Sequence, residues 1–128
     1  MVGPGATDGV SPYYQGFIER FNRGEFYEAH DVLEQLWLGD RHGANGAFYK
    51  GLIQLAGAFV HLQKGRLRPS SALFKLAAAN LARYRGIHEK LDISIVLALI
   101  ESWDGRLRQD DFQVNPLPNR TAPHLDLV

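Results

Sequence analysis

The stretch Phe21-Asn22-Arg23-Gly24-Glu25-Phe26-Tyr27-Glu28-Ala29-His30-Asp31-Val32-Leu33-Glu34-Gln35-Leu36-Trp37 decides the fold. It reads as the end of one helix, a break at Arg23-Gly24, and an amphipathic helix from Glu25 to about Leu38. Stepping about 100° per residue, Phe26, Ala29, Val32, Leu33, Leu36 and Trp37 fill one continuous arc, with Glu28, Asp31 and Gln35 opposite. Glu25 and Glu28 stand in the first turn, where the helix dipole favours anions. A break this short permits only a tight corner between two helices.

Working outward, Ser11-Pro12 is a start signal for the preceding helix, serine as cap and proline at the first helical position. Tyr13, Tyr14, Phe17, Ile18 and Phe21 form its apolar stripe, and Gly24 closes it in a left-handed conformation. Downstream, Gly39–Gly46 is a loop. A third helix, about Ala47 to Gln63, is the most apolar segment, its wide arc belonging to a central helix touched by several others. Gly65 ends it, and Arg66–Pro69 is a basic connector. A fourth helix is expected from Pro69–Ser71 to Tyr84 or Arg85, and a fifth from Ile93, capped by Asp92, to about Trp103. The tail carries three prolines from Asp104 on; Phe112–Leu117 reads as extended chain on the bundle, with the last few residues loose. The expected class is all-α, a compact bundle of about five helices with an irregular C-terminal tail. Its expected division is a flexible arm at 1–10, a helical domain at 11–105 and a packed tail at 106–128. Short turns joining helices 1–2 and 3–4 hint at a helix-pair repeat, but no period near 34 residues recurs, which disfavours a solenoid.

Composition bounds the function. A chain of 128 residues, 45% hydrophobic and 22% charged, is an ordinary globular domain able to bury a core without cross-links. Fourteen basic residues balance fourteen acidic ones, which argues against nucleic acid or an anionic membrane as the main partner. With no cysteine there is no disulfide or thiolate site, so a metal would need imidazole and carboxylate. The N-terminus lacks a signal-peptide pattern and no apolar run is long enough to span a membrane, so a cytoplasmic location is expected. No phosphate loop, GxSxG elbow or HExxH motif is present.

Against that background two ionisable residues stand out. His30 and Glu34 fall on the flank of the apolar arc, four positions apart and therefore on one face. They read as a mutually satisfied structural pair, a proton-transfer pair, or two ligands of one metal. On the third helix a polar stripe of Lys50, Gln54, His61 and Lys64 is either the exposed edge of a central helix or the second half of a site with His30 and Glu34. Asn80 reads as a core amide; His42 and His88 read as solvated loop residues.

The pattern Phe21-Asn22-x-Gly24-Glu25-Phe26-Tyr27-Glu28-Ala29-His30-Asp31-Val32-Leu33-Glu34-x-Leu36-Trp37, then Phe48-Tyr49-x-Gly51-Leu52-Ile53-Gln54-Leu55-Ala56 and His61-Leu62-x-x-Gly65, resembles domain of unknown function family 309 over roughly residues 13–85. The resemblance implies a compact domain of about five helices and singles out Asn22, Gly24, Glu28, His30, Glu34, Trp37, Gln54 and His61. Asp31 stands where that family usually has glutamate, on the solvent side. Members have carried the label of predicted metal-dependent hydrolase. Two readings follow. In one, His30, Glu34 and His61 hold a divalent ion (zinc, iron or manganese) that lowers the pKa of bound water, with Glu28 or Gln54 orienting water or substrate. In the other, Glu28, His30, Glu34, Gln54 and His61 form a polar cluster in a non-catalytic module that binds a protein or small molecule. The neutral surface and paired helices favour the second.

Overall fold

An apolar surface round most of a helix can be buried only if other elements cover several of its sides. In the computed structural model, which describes residues 9–128, that helix is α3, Gly46–Gln63. The expected arm at 1–10 lies, but for Gly9 and Val10, outside the described residues. Around α3 stand α1 (Pro12–Asn22), α2 (Phe26–Asp40), α4 (Leu67–Leu81) and α5 (Ile93–Gln109), the five α-helices among the described residues. Each packs on the next in chain order. Phe59 of α3 is fully buried at the centre, its ring 5.7 Å from Phe21, 5.0 Å from Phe26, 5.2 Å from Phe74 and 5.0 Å from Trp103. One side chain thus joins α1, α2, α4 and α5; truncating such a ring costs about 3–5 kcal/mol. Among the described residues no helix is long and apolar enough to cross a membrane.

The corner read at Arg23-Gly24 occurs twice. Gly24 (φ 78°) and Gly65 (φ 71°) both take the left-handed conformation. The Glu25 N–H donates to the Arg20 carbonyl at 2.9 Å, and the Arg66 N–H to the His61 carbonyl at 2.8 Å. Both are Schellman closures that satisfy the last carbonyls of one helix while launching the next. The helix-pair repeat therefore exists as a shared corner. It also places the two helix hairpins side by side, and the Gln63 side chain donates to the Gly24 carbonyl at 3.2 Å to tie the corners together.

The chain departs from expectation after α3. Helix α4 starts at Leu67, so Pro69 lies inside its first turn, where the missing N–H would have no intrahelical partner. It ends at Leu81 rather than Tyr84 or Arg85. Helix α5 begins at Ile93 with Asp92 as cap, its carboxylate accepting the Ser94 N–H at 3.1 Å, but runs past Trp103 to Gln109. Between α4 and α5 lies an unforeseen hairpin, β1 (Ile87–His88) and β2 (Leu91–Asp92), antiparallel with Ile87 opposite Asp92. Its two-residue turn, Glu89-Lys90, has φ of 47° and 59°, the doubly positive geometry that fits hairpin twist but is normally supplied by Asn-Gly.

The last residues are not loose. Leu125 is buried, and the Asn22 amide grips its backbone twice, donating to the carbonyl and accepting from the N–H, both at 2.8 Å. Leu127 bridges Leu91 of β2, and the Val128 N–H donates to the Lys90 carbonyl at 2.8 Å. Earlier in the tail, Asn115 donates to the Leu62 carbonyl at 2.6 Å, and Arg120 donates to the Ser102 carbonyl at 3.1 Å while lying over Trp103. The stretch Phe112–Leu117 is not simply extended: Phe112 has φ 58° and a single 3-10 turn follows at Leu117–Asn119. Polar side chains reading tail backbone, more than apolar periodicity, hold this segment down.

Candidate functional site

Because α2 runs antiparallel to α3, its first turns lie beside the last turns of α3. This juxtaposition brings His30 and His61 to the walls of one cleft of about 250 Å³, lined by Tyr27 and His30 of α2, Gly57, Val60, His61 and Lys64 of α3, and Leu73 of α4. Gly57 keeps the cleft open on the α4 side, since a Cβ there would lie 3.1 Å from Leu73 Cδ1. Tyr27, 57% exposed, sets its ring 6.4 Å from that of His30, with the planes inclined by 25°.

The two histidines differ in environment. His30 is a partly exposed edge residue: its Nδ1 lies 3.4 Å from the Asp31 carboxylate and its Nε2 4.0 Å from that of Glu34. With the His30 side chain 32% and the Glu34 side chain 41% exposed, that pair is no buried ion pair, and contacts of this kind contribute about 0–1 kcal/mol. His61 sits deeper, in the last turn of α3, and its Nδ1 is buried with no hydrogen-bond partner. Burial, reinforced by the nearby Arg66 and Lys64 charges, lowers its pKa below the ordinary 6.5. Near neutral pH the ring is therefore uncharged and carries a single N–H. A buried lone pair is tolerated more readily than a buried orphan N–H, which puts the proton on Nε2.

The other expected members of the cluster lie elsewhere. Gln54 is turned towards α4, its Oε1 accepting from Asn80 Nδ2 at 2.7 Å, so Asn80 is indeed a satisfied amide. Lys50 lies over the Trp37 ring at 4.4 Å. Glu28 is exposed and, like Glu34, does not line the cleft. Among the described residues no three His, Asp or Glu side chains are disposed to hold a metal ion. The set His30, Glu34 and His61 forms no such group, and Glu34 does not line the cleft that the two histidines share.

The sequence model of a family described as a domain of unknown function, DUF309, matches residues 14–73. Over that span the chain is similar to DUF309. No curated protein and no solved structure matches the chain. The DUF309 span runs from α1 into α4 and so contains every residue lining the cleft. It stops short of the hairpin, α5 and the tail.

Outside the DUF309 span lies part of a second polar cluster that sequence reasoning missed. His88, expected to be solvated, is half-buried with its ring 4.7 Å from Phe48 and 4.5 Å from Tyr84. Its Nε2 lies 2.7 Å from Asn45 Oδ1. Asn45 Nδ2 donates to Glu89 Oε1 at 3.1 Å and to the Tyr49 hydroxyl at 3.4 Å. Tyr84 donates to the Ala44 carbonyl at 2.8 Å and accepts the Phe48 N–H at 3.0 Å; Tyr14 donates to the Glu89 carbonyl at 2.9 Å. Burial, with help from Glu89 and Tyr49, pushes the Tyr14 phenol far above its ordinary value. This cluster fastens the loop before α3 to the hairpin. No periodicity could have found it, because its members come from α1, a loop, α3 and the hairpin.

Proposed function

We propose that the protein is a non-catalytic ligand-binding helical domain whose site is the cleft between α2, α3 and α4. The observation that carries this reading is the convergence of the His30 and His61 imidazoles and Lys64 on one concavity walled by Gly57, Val60 and Leu73. A concave site with apolar walls and a few convergent polar groups is the usual form of a small-molecule site, and about 250 Å³ is smaller than a drug-sized pocket. The occupant is therefore a small ligand rather than a cofactor. The hydrolase reading receives no comparable support, since neither a nucleophile–base pair nor a ligand set converges at the cleft.

Amide and side-chain NMR of the labelled protein against a library of small fragments tests the proposal. Binders should shift Tyr27, His30, Gly57, Val60, His61, Lys64 and Leu73 together, and Gly57→Leu, which fills the cleft, should abolish those shifts. Fragments that bind only elsewhere, for instance beneath the tail against Ile95, Leu99 and Val128, would sink it.

A further inference from the structure

Resting on the cleft as the binding site, the side chains in its walls also specify what kind of ligand fits. Its lining contains no carboxylate: Lys64 supplies an ammonium, and Gly57, Val60 and Leu73 supply apolar surface. The Arg66 guanidinium adds to the positive field at the same corner, because the Schellman closure brings Arg66 back over His61. His61 in its neutral form offers Nε2–H as a donor. Asp31 and Glu34 lie beside His30 on the α2 side and do not line the cleft. One end of the cleft thus presents donors and positive charge, while the walls around it are aliphatic.

We infer that the cleft takes a small aliphatic carboxylate, its carboxyl group held by Lys64 Nζ and His61 Nε2–H and its hydrocarbon body lying against Val60 and Leu73. A neutral imidazole suits this role. It adds a directed hydrogen bond to an anion without placing a further cation beside the exposed Lys64 and Arg66, whose repulsion would oppose it. Gly57 leaves room for the hydrocarbon body. A polyvalent anion such as inorganic phosphate matches the charge but leaves the apolar walls uncovered. An aliphatic amine covers the walls but meets Lys64 with like charge.

Three matched probes separate these possibilities: hexanoate, hexylamine and hexanol, titrated at constant ionic strength at pH 7.5 and followed by calorimetry and by the NMR signals of the cleft residues. Hexanoate should bind at least about tenfold more tightly than either of the others, a margin typical of one charge-assisted contact. Lys64→Gln should weaken hexanoate by about tenfold and leave hexanol unchanged; His61→Phe should weaken hexanoate and spare hexanol in the same way. Hexanol or hexylamine binding as tightly as hexanoate, or hexanoate binding unaffected by Lys64→Gln, would overturn the carboxylate assignment while leaving the cleft as a binding site. No probe of the three perturbing the cleft residues would count against the carboxylate assignment, and the fragment library above would then decide the fate of the site itself.

Discussion

The two ends of α3 carry histidine-containing polar clusters of opposite kinds. At the start of the helix His88, Asn45, Glu89, Tyr14 and Tyr49 are joined in one set of hydrogen bonds, with Tyr84 bonded to the Ala44 and Phe48 backbone beside them. Near its end, roughly 24 Å away at 1.5 Å per residue, His61 faces an open cleft with one ring nitrogen unanswered. Burial of polar groups is common to both; satisfaction is not. A closed network adds stability and geometric uniqueness, because every member is needed to avoid stranding another. An incomplete one leaves a group without a partner, at a cost in stability that the rest of the fold carries. Aromatic content does not separate the two, nor does the number of titratable residues.

That contrast predicts opposite consequences for substitutions at the two ends. Asn45→Ala should give the largest effect, a loss of about 2–3 kcal/mol in denaturant unfolding, because it leaves His88, Glu89 and Tyr49 short of partners at once. A loss below about 0.5 kcal/mol would show that the start of α3 is no more tightly organised than the cleft. Tyr14→Phe should cost about 1 kcal/mol, one buried hydrogen bond. In the native protein Tyr14 should also contribute an alkaline limb. Its folded-state pKa is raised, so the stability it confers is whole below pH 10.0 and is lost as pH rises above that value. Tyr14→Phe should flatten that limb in unfolding curves measured between pH 9 and 11.

Glycines on α3 allow a sharper comparison. A Cβ at Gly51 would meet Leu81 Cγ at 2.8 Å, where α3 and α4 are pressed together over a fully buried leucine. At Gly57 the nearest atom is Leu73 Cδ1 at 3.1 Å, and Leu73 is only partly buried. Gly51→Ala should therefore cost about 1–3 kcal/mol by overpacking. Gly57→Ala should be close to neutral, since the gain in helix propensity of about 1 kcal/mol offsets the small displacement of Leu73. Equal thermal midpoints for the two variants would contradict the picture of a tight half and an open half.

The legibility of the molecule followed the same division. Helices α1 to α3, their corner glycines and the central place of α3 were readable because amphipathic periodicity and a left-handed closing residue are local signals. That His30 and His61 line one cleft was one of two readings the sequence offered, since two helices joined by a short loop can run antiparallel and bring their polar flanks together. Gln54 misled: position on the stripe fixed its face, whereas its partner depended on Asn80 from α4, a contact no helical wheel contains. The hairpin escaped notice because Glu89-Lys90 adopts a turn without the residues that usually mark it. The tail escaped for a different reason. Asn22 holds Leu125 through backbone groups that every residue possesses, so nothing in the tail's own side chains announces the clasp.

The smallest expected effect tests the open end most directly. His61 is uncharged in the folded protein over a range of pH in which the unfolded chain already binds its proton, because burial and then Arg66 and Lys64 disfavour the imidazolium. Above pH 6.5 both states carry a neutral ring and His61 contributes no pH dependence. As pH falls below that value the unfolded state takes up the proton first, and stability declines until pH has passed the folded-state pKa. His61→Gln removes this contribution while keeping a polar side chain in the cleft wall. At pH 7.5 its unfolding free energy should lie within about 0.5 kcal/mol of the native value, as for a change outside any closed network. Between pH 7 and pH 5 the variant should lose less stability than the native protein, a difference read as a smaller fall in denaturant midpoint. A variant with the same acid fall as the native protein would mean that solvent already reaches the buried nitrogen. The two ends of α3 would then differ in shape alone.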